Sequence, residues 1–222
     1  MSTPDLHLHT LFLLDSAGRI LGTREPNPEP GPRFVLIRGR TNCAWAVRAD
    51  VPQGIAEELE GLARAEPPVA DFRGVPVHAE QYRTLAGGEV YAGPAFTFPK
   101  TVEQPDATAH VNALPLLARH FSGWTVTEIP ERSPIVAVVV DGHAVSVCFC
   151  ARRSERAAEA GLETAEAFRG RGFGPQVTAA WALAVRASGR VPLYSTSWEN
   201  GASLAVARKL GLLAYACGWS LG

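Results

Sequence analysis

The sequence is poor in the features that mark three classes of protein. Its 222 residues include only four cysteines and no CxxC pair, so the usual spacing of a zinc or dithiol site is missing. Lys and Arg (21) balance Asp and Glu (22), which gives a formal net charge of −1 and no basic surface for nucleic acid. Arg152 and Arg153 end the longest apolar run before it could span a bilayer. We expect neither a nucleic-acid partner nor a membrane partner.

Other absences bear on location and metal binding. The opening residues MSTPDLHLHT lack the basic stretch and apolar run of a secretory signal, so we expect a reduced, cytoplasmic protein. His7 and His9 are two residues apart, but no further ligands cluster with them. We interpret them as exposed strand residues and expect no metal site. With 46% hydrophobic residues, the chain can form a core in one large or two small domains.

The first half of the chain is broken by proline. Three proline-rich stretches, at 24–33, 65–77 and 93–106, are typical of loops. Between them, LHTLFLLD (8–15) and RFVLIRGRTNCAWAV (33–47) have strand composition, and QGIAEELEGLARA (53–65) has apolar residues at helical spacing. We predict an N-terminal α/β segment, residues 1–105, that could complete a substrate cleft.

The second half, 106–222, has a more regular pattern. NALPLLARHF (112–121) is predicted to be helical, and Asp141-Gly142 marks a hairpin turn between two apolar strands. Cys148, Cys150 and Trp181 lie on apolar faces and are expected in the core. The remaining predicted elements are a strand, a helix, a strand, a helix and a last strand, at 157–168, 175–188, 191–198, 200–210 and 212–220.

The stretch FRGRGFGPQ (168–176) places three glycines and two arginines before a predicted helix. It is a poor dinucleotide fingerprint, because the strand about 20 residues on has no acidic residue, and no GK[ST] follows for a phosphate loop. Glycines after a strand let main-chain N–H groups converge on an anion, and the helix start adds its positive dipole end. Arg169 and Arg171 add charge. The alternative is a solvated turn.

The wider stretch TAEAFRGRGFG resembles the pyrophosphate loop of the GNAT superfamily of acyl-CoA-dependent N-acyltransferases, Q/R-x-x-G-x-G/A. Arg169, Gly172 and Gly174 occupy its defined positions. WENGASLAVARKLGL is similar to the second helix of that family, with Asn200 at its start. The resemblance covers about the last half of the chain. It implies a GNAT-like mixed, splayed β-sheet flanked by helices, residues 106–222, in an α/β protein.

The resemblance also implies the site and its ligands. Acetyl-CoA or another acyl-CoA would be the co-substrate, with no metal, and the acceptor would be an amine of a small molecule or peptide. Backbone groups of the strand before the loop would polarise the thioester, and Asn200 would contact the pantetheine arm. The implied CoA-binding residues are Leu162, Thr164, Arg169, Gly170, Arg171, Gly172, Phe173, Gly174, Asn200 and Ser203.

Direct attack by an amine needs a base and a means of releasing the thiolate. Glu159 and Glu163 are the candidate bases, and Glu159 is preferred because its small apolar neighbours could desolvate it; either could instead be a structural strand residue. Many family members have a tyrosine in the second helix where this chain has Ala207. Ser203 and Tyr215 are candidate acids, although Ser203 is equally a first-turn helix residue and Tyr215 a core aromatic.

We therefore predict an N-acyltransferase that uses a ternary complex. Because the usual tyrosine is missing, a non-catalytic acyl-CoA-binding module is the alternative, and an interaction domain with a vestigial loop is a third hypothesis. The acceptor contacts are expected in residues 80–130. A homodimer is left open.

Overall fold

The computed structural model describes residues 3–222 and contains six α-helices and eleven strands within that range. Two short 3₁₀ turns lie at Leu114–Leu116 and Glu166–Phe168. In chain order the elements are α1 (Thr3–Leu11), β1 (Phe12–Leu14), β2 (Ile20–Thr23), β3 (Phe34–Gly39), β4 (Cys43–Val47), α2 (Gln53–Ala65), α3 (Ala79–Ala86), β5 (Val90–Thr97), β6 (Ala109–His110), α4 (Glu128–Glu131), β7 (Val136–Val140), β8 (His143–Arg153), β9 (Ala157–Thr164), α5 (Phe173–Ala187), β10 (Val191–Ser195), α6 (Gly201–Lys209) and β11 (Leu213–Leu221).

The chain forms two compact units. Unit 1 contains the residues up to Phe96 together with Ser195–Gly201 and Ala214–Gly222, and unit 2 contains Thr97–Tyr194 and Ala202–Leu213. The predicted domain ranges, 1–105 and 106–222, stay a prediction.

In unit 1 the strands lie in the order β4, β3, β11, β5, with β3 antiparallel to both of its neighbours. Every residue of β3 is buried, because both faces of this sheet are covered. Phe34 and Leu36 pack in one core with α2 and α3. Val35 and Ile37 point to the opposite face and pack in a second core with α1. The predicted strands at 33–47 and the helix at 53–65 are confirmed.

The prediction of a strand at 8–15 is wrong for its first half, where the chain continues α1 to Leu11. The buried positions Pro4, His7, Leu8 and Leu11 have the spacing of one helix face, which explains the difference. His7 is therefore a buried helical residue, with 3% of its surface exposed, and not an exposed strand residue.

The prediction of a loop at 93–106 is wrong for Gly93–Thr97, which belong to β5. Trp198 N–H donates to Ala92 O (3.2 Å) and Thr196 N–H to Pro94 O (3.3 Å), so a second chain segment runs beside this strand. A Cβ atom on Gly93 would overlap the main chain of Thr196, so glycine allows the close approach. Gly93 and Pro94 made a real strand resemble a loop.

In unit 2 the strands lie in the order β10, β9, β8, β7, β6. β10 is parallel to β9, and the other neighbours are antiparallel, so the sheet is mixed. The hairpin at Asp141-Gly142 and the strand and helix order from 157 to 220 are confirmed. Cys148, Cys150 and Trp181 are buried, as predicted.

The prediction of one helix at 112–121 is wrong. Only the 3₁₀ turn at Leu114–Leu116 is regular there, and separate turns follow it. Leu117 and Phe121 are nevertheless one turn apart and both buried in the core beside β7 and β8. The apolar spacing identified the buried side of the segment but not its conformation.

Candidate functional site

The parallel pairing of β9 with β10 ends before β9 does. The pairs are Val191 with Ala157, Pro192 with Ala158, and Leu193 with Glu159. β9 continues to Thr164, and among residues 3–222 no partner in β10 pairs with this continuation. An exposed strand edge with main-chain donors and acceptors begins after Glu159.

The register with β8 shows which main-chain groups turn to that edge. Ala165 N–H donates to Val145 O (2.9 Å), and β9 pairs with β8 without a register shift from Thr164 back to Ala160. Hydrogen-bonded and non-hydrogen-bonded pairs alternate in an antiparallel ladder. Because Ala165 is in a hydrogen-bonded pair, Leu162 and Thr164 are in non-hydrogen-bonded pairs and direct their N–H and C=O groups away from β8. The Arg169 Nε donates to Thr164 O (3.2 Å), as this orientation requires.

The glycine loop follows β9 and leads into α5. Gly170 and Gly172 have φ angles of 75° and 86°, and Gly172 directly precedes the helix. Within residues 3–222, no main-chain N–H from 170 to 174 donates a hydrogen bond to the protein. These N–H groups and the start of α5 are therefore available to an anion, and the predicted binding of one there stays a prediction.

Arg169 and Arg171 are held beside this loop. Both are exposed, and each uses part of its guanidinium group on the main chain, Arg171 through Ala167 O (3.0 Å). The Arg171 guanidinium also lies 4.9 Å from the centre of the Phe168 ring. The remaining N–H groups leave both side chains able to pair with a phosphate, and the existing contacts limit their motion.

Packing alone does not require a glycine at Gly174. A Cβ atom there would lie 3.5 Å from Val206 Cγ2 of α6 and 3.6 Å from Leu162 Cδ2 of β9. The first turn of α5 thus packs closely on the edge of β9 and on α6. Phe173 is half-buried in the same turn.

The two faces of β9 differ. The face of Leu162 carries Cys148 across the β8 ladder, and Cys148 interacts with Thr178 of α5, so this helix covers the face. Glu159, Gly161 and Glu163 alternate onto the other face. That face is partly covered too, because the Phe149 ring of β8 lies against Gly161 and packs in a core with Leu117. Of the two glutamates on it, Glu163 is the exposed one.

The two candidate bases have different surroundings. Glu159 is 4% exposed and occupies the last position paired with β10. Glu163 is solvent-accessible, yet the protein around its carboxyl group raises its pKa by partial desolvation, and Arg132 opposes the rise. Burial favours the neutral form of a carboxyl group, so the protein modifies the basicity of Glu163. The catalytic role of each stays a prediction.

The candidate acids divide between the units. In unit 2, the Ser203 Oγ of α6 lies 2.5 Å from the Tyr194 hydroxyl of β10, and Ala207 is 2% exposed. In unit 1, the Tyr215 ring contacts His7 with 5.9 Å between centroids. Asn200 also belongs to unit 1, where its N–H donates to Ser197 O (3.3 Å). The roles of these residues in binding or catalysis stay predictions.

Sequence reasoning missed Tyr194. Its position is notable because it directly follows Leu193, the last residue of β10 that pairs with β9. The sequence shows a tyrosine in an apolar strand, which is equally a core residue. What distinguishes Tyr194 is its position where the pairing of β10 with β9 ends, and the sequence does not show where that is.

Residues 3–222 lack two further features, a metal-binding cluster and a membrane-spanning helix. No three His, Cys, Asp or Glu side chains come together as a metal site in this range. None of the helices described there has the length and hydrophobicity that a membrane crossing requires.

Comparisons with known proteins give a family match over part of the chain and a fold. Residues 135–215 match a family model described as GNAT acetyltransferase. A candidate acetyltransferase from the GNAT family of Novosphingobium aromaticivorans is 19% identical, with a TM-score of 0.50, over 60% of this chain and 64% of that chain. A Drosophila protein is 14% identical, with a TM-score of 0.51, over 90% of this chain and 78% of that one. No curated protein matches in sequence. The predicted resemblance is confirmed, and the mixed α/β sheet is that of GNAT structures.

Proposed function

We propose that this chain, whose residues 135–215 carry a GNAT acetyltransferase domain, transfers an acetyl group from acetyl-CoA to a primary amine. The family match supports acyl transfer in general. One observation supports the finer proposal most strongly: the open edge of β9 is followed, after one 3₁₀ turn, by a loop whose N–H groups at 170–174 have no acceptor within residues 3–222. A ligand with an extended arm followed by a pyrophosphate would fit these two features in the same order.

The residues present fit CoA. The N–H groups of the loop and the start of α5 would bind the pyrophosphate, with Arg169 and Arg171 contributing charge. Leu162 and Thr164 would pair with the amides of the pantetheine arm through their edge-facing N–H and C=O groups. When bound, acetyl-CoA supplies the acetyl group as an activated thioester.

The acceptor would approach on the face of β9 that carries Glu159 and the exposed Glu163, opposite the face that α5 covers. Glu159 would accept the proton that the amine nitrogen loses as it bonds to the acetyl carbon. An edge-facing N–H of β9 would donate to the thioester oxygen as negative charge develops there. We propose a small molecule or a peptide as the source of the amine.

The cysteines near this strand support direct attack and argue against an acyl-cysteine route. Burial raises the pKa of Cys150 to about 11, and burial raises that of Cys148 well above its usual value. The thiolate is the nucleophilic form of cysteine. Near neutral pH neither side chain would be ionised, so neither is prepared to attack the thioester.

The test is the release of free CoA thiol from acetyl-CoA, measured with and without a panel of polyamine, aromatic amine and peptide amine acceptors. Amine-dependent thiol release, with an acetylated product identified by mass spectrometry, supports the proposal. Tight CoA binding without turnover on any acceptor would instead favour the acyl-CoA-binding module, which the buried Ala207 makes the second candidate. Absence of CoA binding would refute both.

A further inference from the structure

Glu163 lies near the end of β9, on the same face of the strand as Glu159. Its side chain is exposed, whereas Glu159 is buried. Within residues 3–222, the Glu163 carboxyl group has no hydrogen bond or ion pair with a protein group. The surrounding protein nevertheless removes part of its water, and this desolvation raises its pKa. A carboxylate in such surroundings gains more from a positive partner than a fully hydrated one does.

Arg132 is a positive group near Glu163, but it is already paired with another carboxylate. Its Nη2 and Nε atoms lie 2.8 Å and 3.2 Å from Glu128 Oε1. Its guanidinium group also lies 5.3 Å from the centre of the Trp124 ring and 5.2 Å from that of Phe149. These contacts hold Arg132 in place, and Glu128 balances its charge. Arg132 therefore lowers the pKa of Glu163 from a distance without forming an ion pair with it.

The face of β9 between the two glutamates is apolar. Gly161 has no side chain, and the Phe149 ring of β8 lies against it. Val147, which pairs with Glu163, is buried in the same core as Phe149. Residues four apart on a strand have Cα atoms about 13 Å apart, at about 3.3 Å per residue. Over that distance the face carries a carboxyl group, an apolar stretch and a second carboxyl group.

We infer that Glu163 binds a second positive charge of the acceptor, so that the preferred acceptor is a diamine with an aliphatic chain between its amino groups. The inference rests on the proposed function, because it concerns the acceptor of that reaction. The ammonium group at Glu163 keeps its protons. The other amino group attacks as the neutral amine, forms the C–N bond and gives its proton to Glu159, while the C–S bond breaks and its electron pair leaves with the CoA sulfur. Glu163 would be a specificity-determining residue and not the base.

The same arrangement disfavours other acceptors. A monoamine of equal length would leave the partly desolvated Glu163 without a partner. An acceptor with a carboxylate at this end would be repelled by Glu163, because like charges brought together cost free energy. Amino acids should therefore be poor acceptors.

The test compares two acceptors of equal length. Diaminooctane has an amino group at each end, and in aminooctanol a hydroxyl group replaces one of them. Steady-state thiol release gives kcat and KM for both acceptors in the parent, Glu163→Gln, Glu163→Asp and Glu166→Gln. Glu166→Gln is the matched control, because Glu166 is an exposed glutamate in the 3₁₀ turn that follows β9. Calorimetry measures binding of the diamine to the protein saturated with CoA, which has no acetyl group to transfer.

In the parent, KM should be roughly tenfold lower for the diamine than for the amino alcohol at similar kcat, the lower end of the effect of a charge-assisted hydrogen bond, since Glu163 is exposed. Glu163→Gln should abolish this difference by raising KM for the diamine, and Glu163→Asp should keep part of it. Glu166→Gln should keep all of it. The calorimetric affinity for the diamine should change in parallel.

Two results would overturn the inference. One is an equal KM for the two acceptors in the parent, or a KM for the diamine that Glu163→Gln leaves unchanged. The other is an equal fall in kcat for both acceptors in Glu163→Gln, which would make Glu163 the base. If no amine causes thiol release in the parent, the proposed function fails instead. Diamine affinity that depends on Glu163 would then still support the binding site, and affinity that does not would overturn it.

Discussion

One set of polar groups in unit 1 and another in unit 2 are used in opposite ways. In unit 1, Arg38 is 2% exposed and donates to Val75 O (3.1 Å), to Gly74 O and to Cys217 Sγ (3.4 Å). Glu66 is 6% exposed and accepts hydrogen bonds from the 66–78 segment and from α3. In unit 2, the N–H groups at 170–174 have no protein acceptor within residues 3–222.

This difference distinguishes polar groups that stabilise the fold from polar groups that can bind a ligand. A buried charge with several main-chain partners fixes a loop that has no ladder of its own, and removing one partner is costly. Polar groups at the edge of β9 and at the start of α5 still have hydrogen-bonding capacity, so we expect their partner to be a ligand. We expect changes in the first set to alter stability and changes in the second to alter ligand binding or rate.

The largest effect is expected for Glu159→Gln. If Glu159 accepts the amine proton, kcat/KM for acetyl transfer should fall by roughly 10²- to 10⁴-fold, because general-base catalysis is lost, while CoA affinity and fold are kept. The measurement is steady-state thiol release with the best acceptor of the panel. The control is Glu163→Gln, which should have a smaller effect. Full activity of Glu159→Gln at neutral pH would make Glu159 structural and Glu163 the next candidate.

The matching experiment in unit 1 is Glu66→Ala. This carboxylate accepts from His78 N–H (2.9 Å), Val77 N–H (3.2 Å) and the Tyr82 hydroxyl (3.3 Å). Its loss leaves the buried Tyr82 hydroxyl and two part-buried N–H groups without this acceptor, so the free energy of unfolding should fall by about 3 kcal/mol. Denaturant unfolding measures this, with the exposed Glu58→Ala as control. CoA affinity should not change, and a parallel loss of affinity would break the distinction between the units.

The sequence predicted the second half of the fold better than the first. The helix at 175–188 and the strands around Asp141-Gly142 have a strong apolar period, and local signals suffice for them. The sequence did not predict β5, because Gly93 and Pro94 resemble loop residues. In the structure, glycine is needed at Gly93 because the main chain of Thr196 approaches it closely. That need arises from a segment about 100 residues away, which no local pattern reveals.

The candidate site, like the fold, was predictable only in part. The glycines and arginines of the loop are contiguous, so the loop could be recognised from the chain alone. The surroundings of Tyr194 could not, because they depend on where β10 stops pairing and on Ser203 of another element. The neighbours of Gly174, Leu162 and Val206, likewise lie on other elements of the fold.

A smaller effect is expected for Arg169→Ala. Its Nε holds Thr164 O, and its remaining N–H groups are available to a phosphate. Loss of a charge-assisted hydrogen bond should weaken CoA binding by roughly tenfold or more. Calorimetry gives the affinity, with the exposed Arg64→Ala of α2 as the matched control. A loss that is smaller for dephospho-CoA would assign Arg169 to the 3′-phosphate, and equal affinity of variant and parent would remove it from the site.

The smallest effects distinguish the two glycines at the start of α5. Gly172 has a left-handed φ of 86°, so Gly172→Ala should lower the free energy of unfolding by about 1 kcal/mol through backbone strain. Gly174 has ordinary φ, and a Cβ there would make contacts of 3.5 and 3.6 Å, so Gly174→Ala should leave stability nearly unchanged. Thermal unfolding and CoA calorimetry on both variants separate strain from ligand approach. If Gly174→Ala keeps its stability but loses CoA affinity, the glycine is needed for the approach of the ligand; if both are kept, neither ligand approach nor packing against Leu162 and Val206 requires glycine at this position.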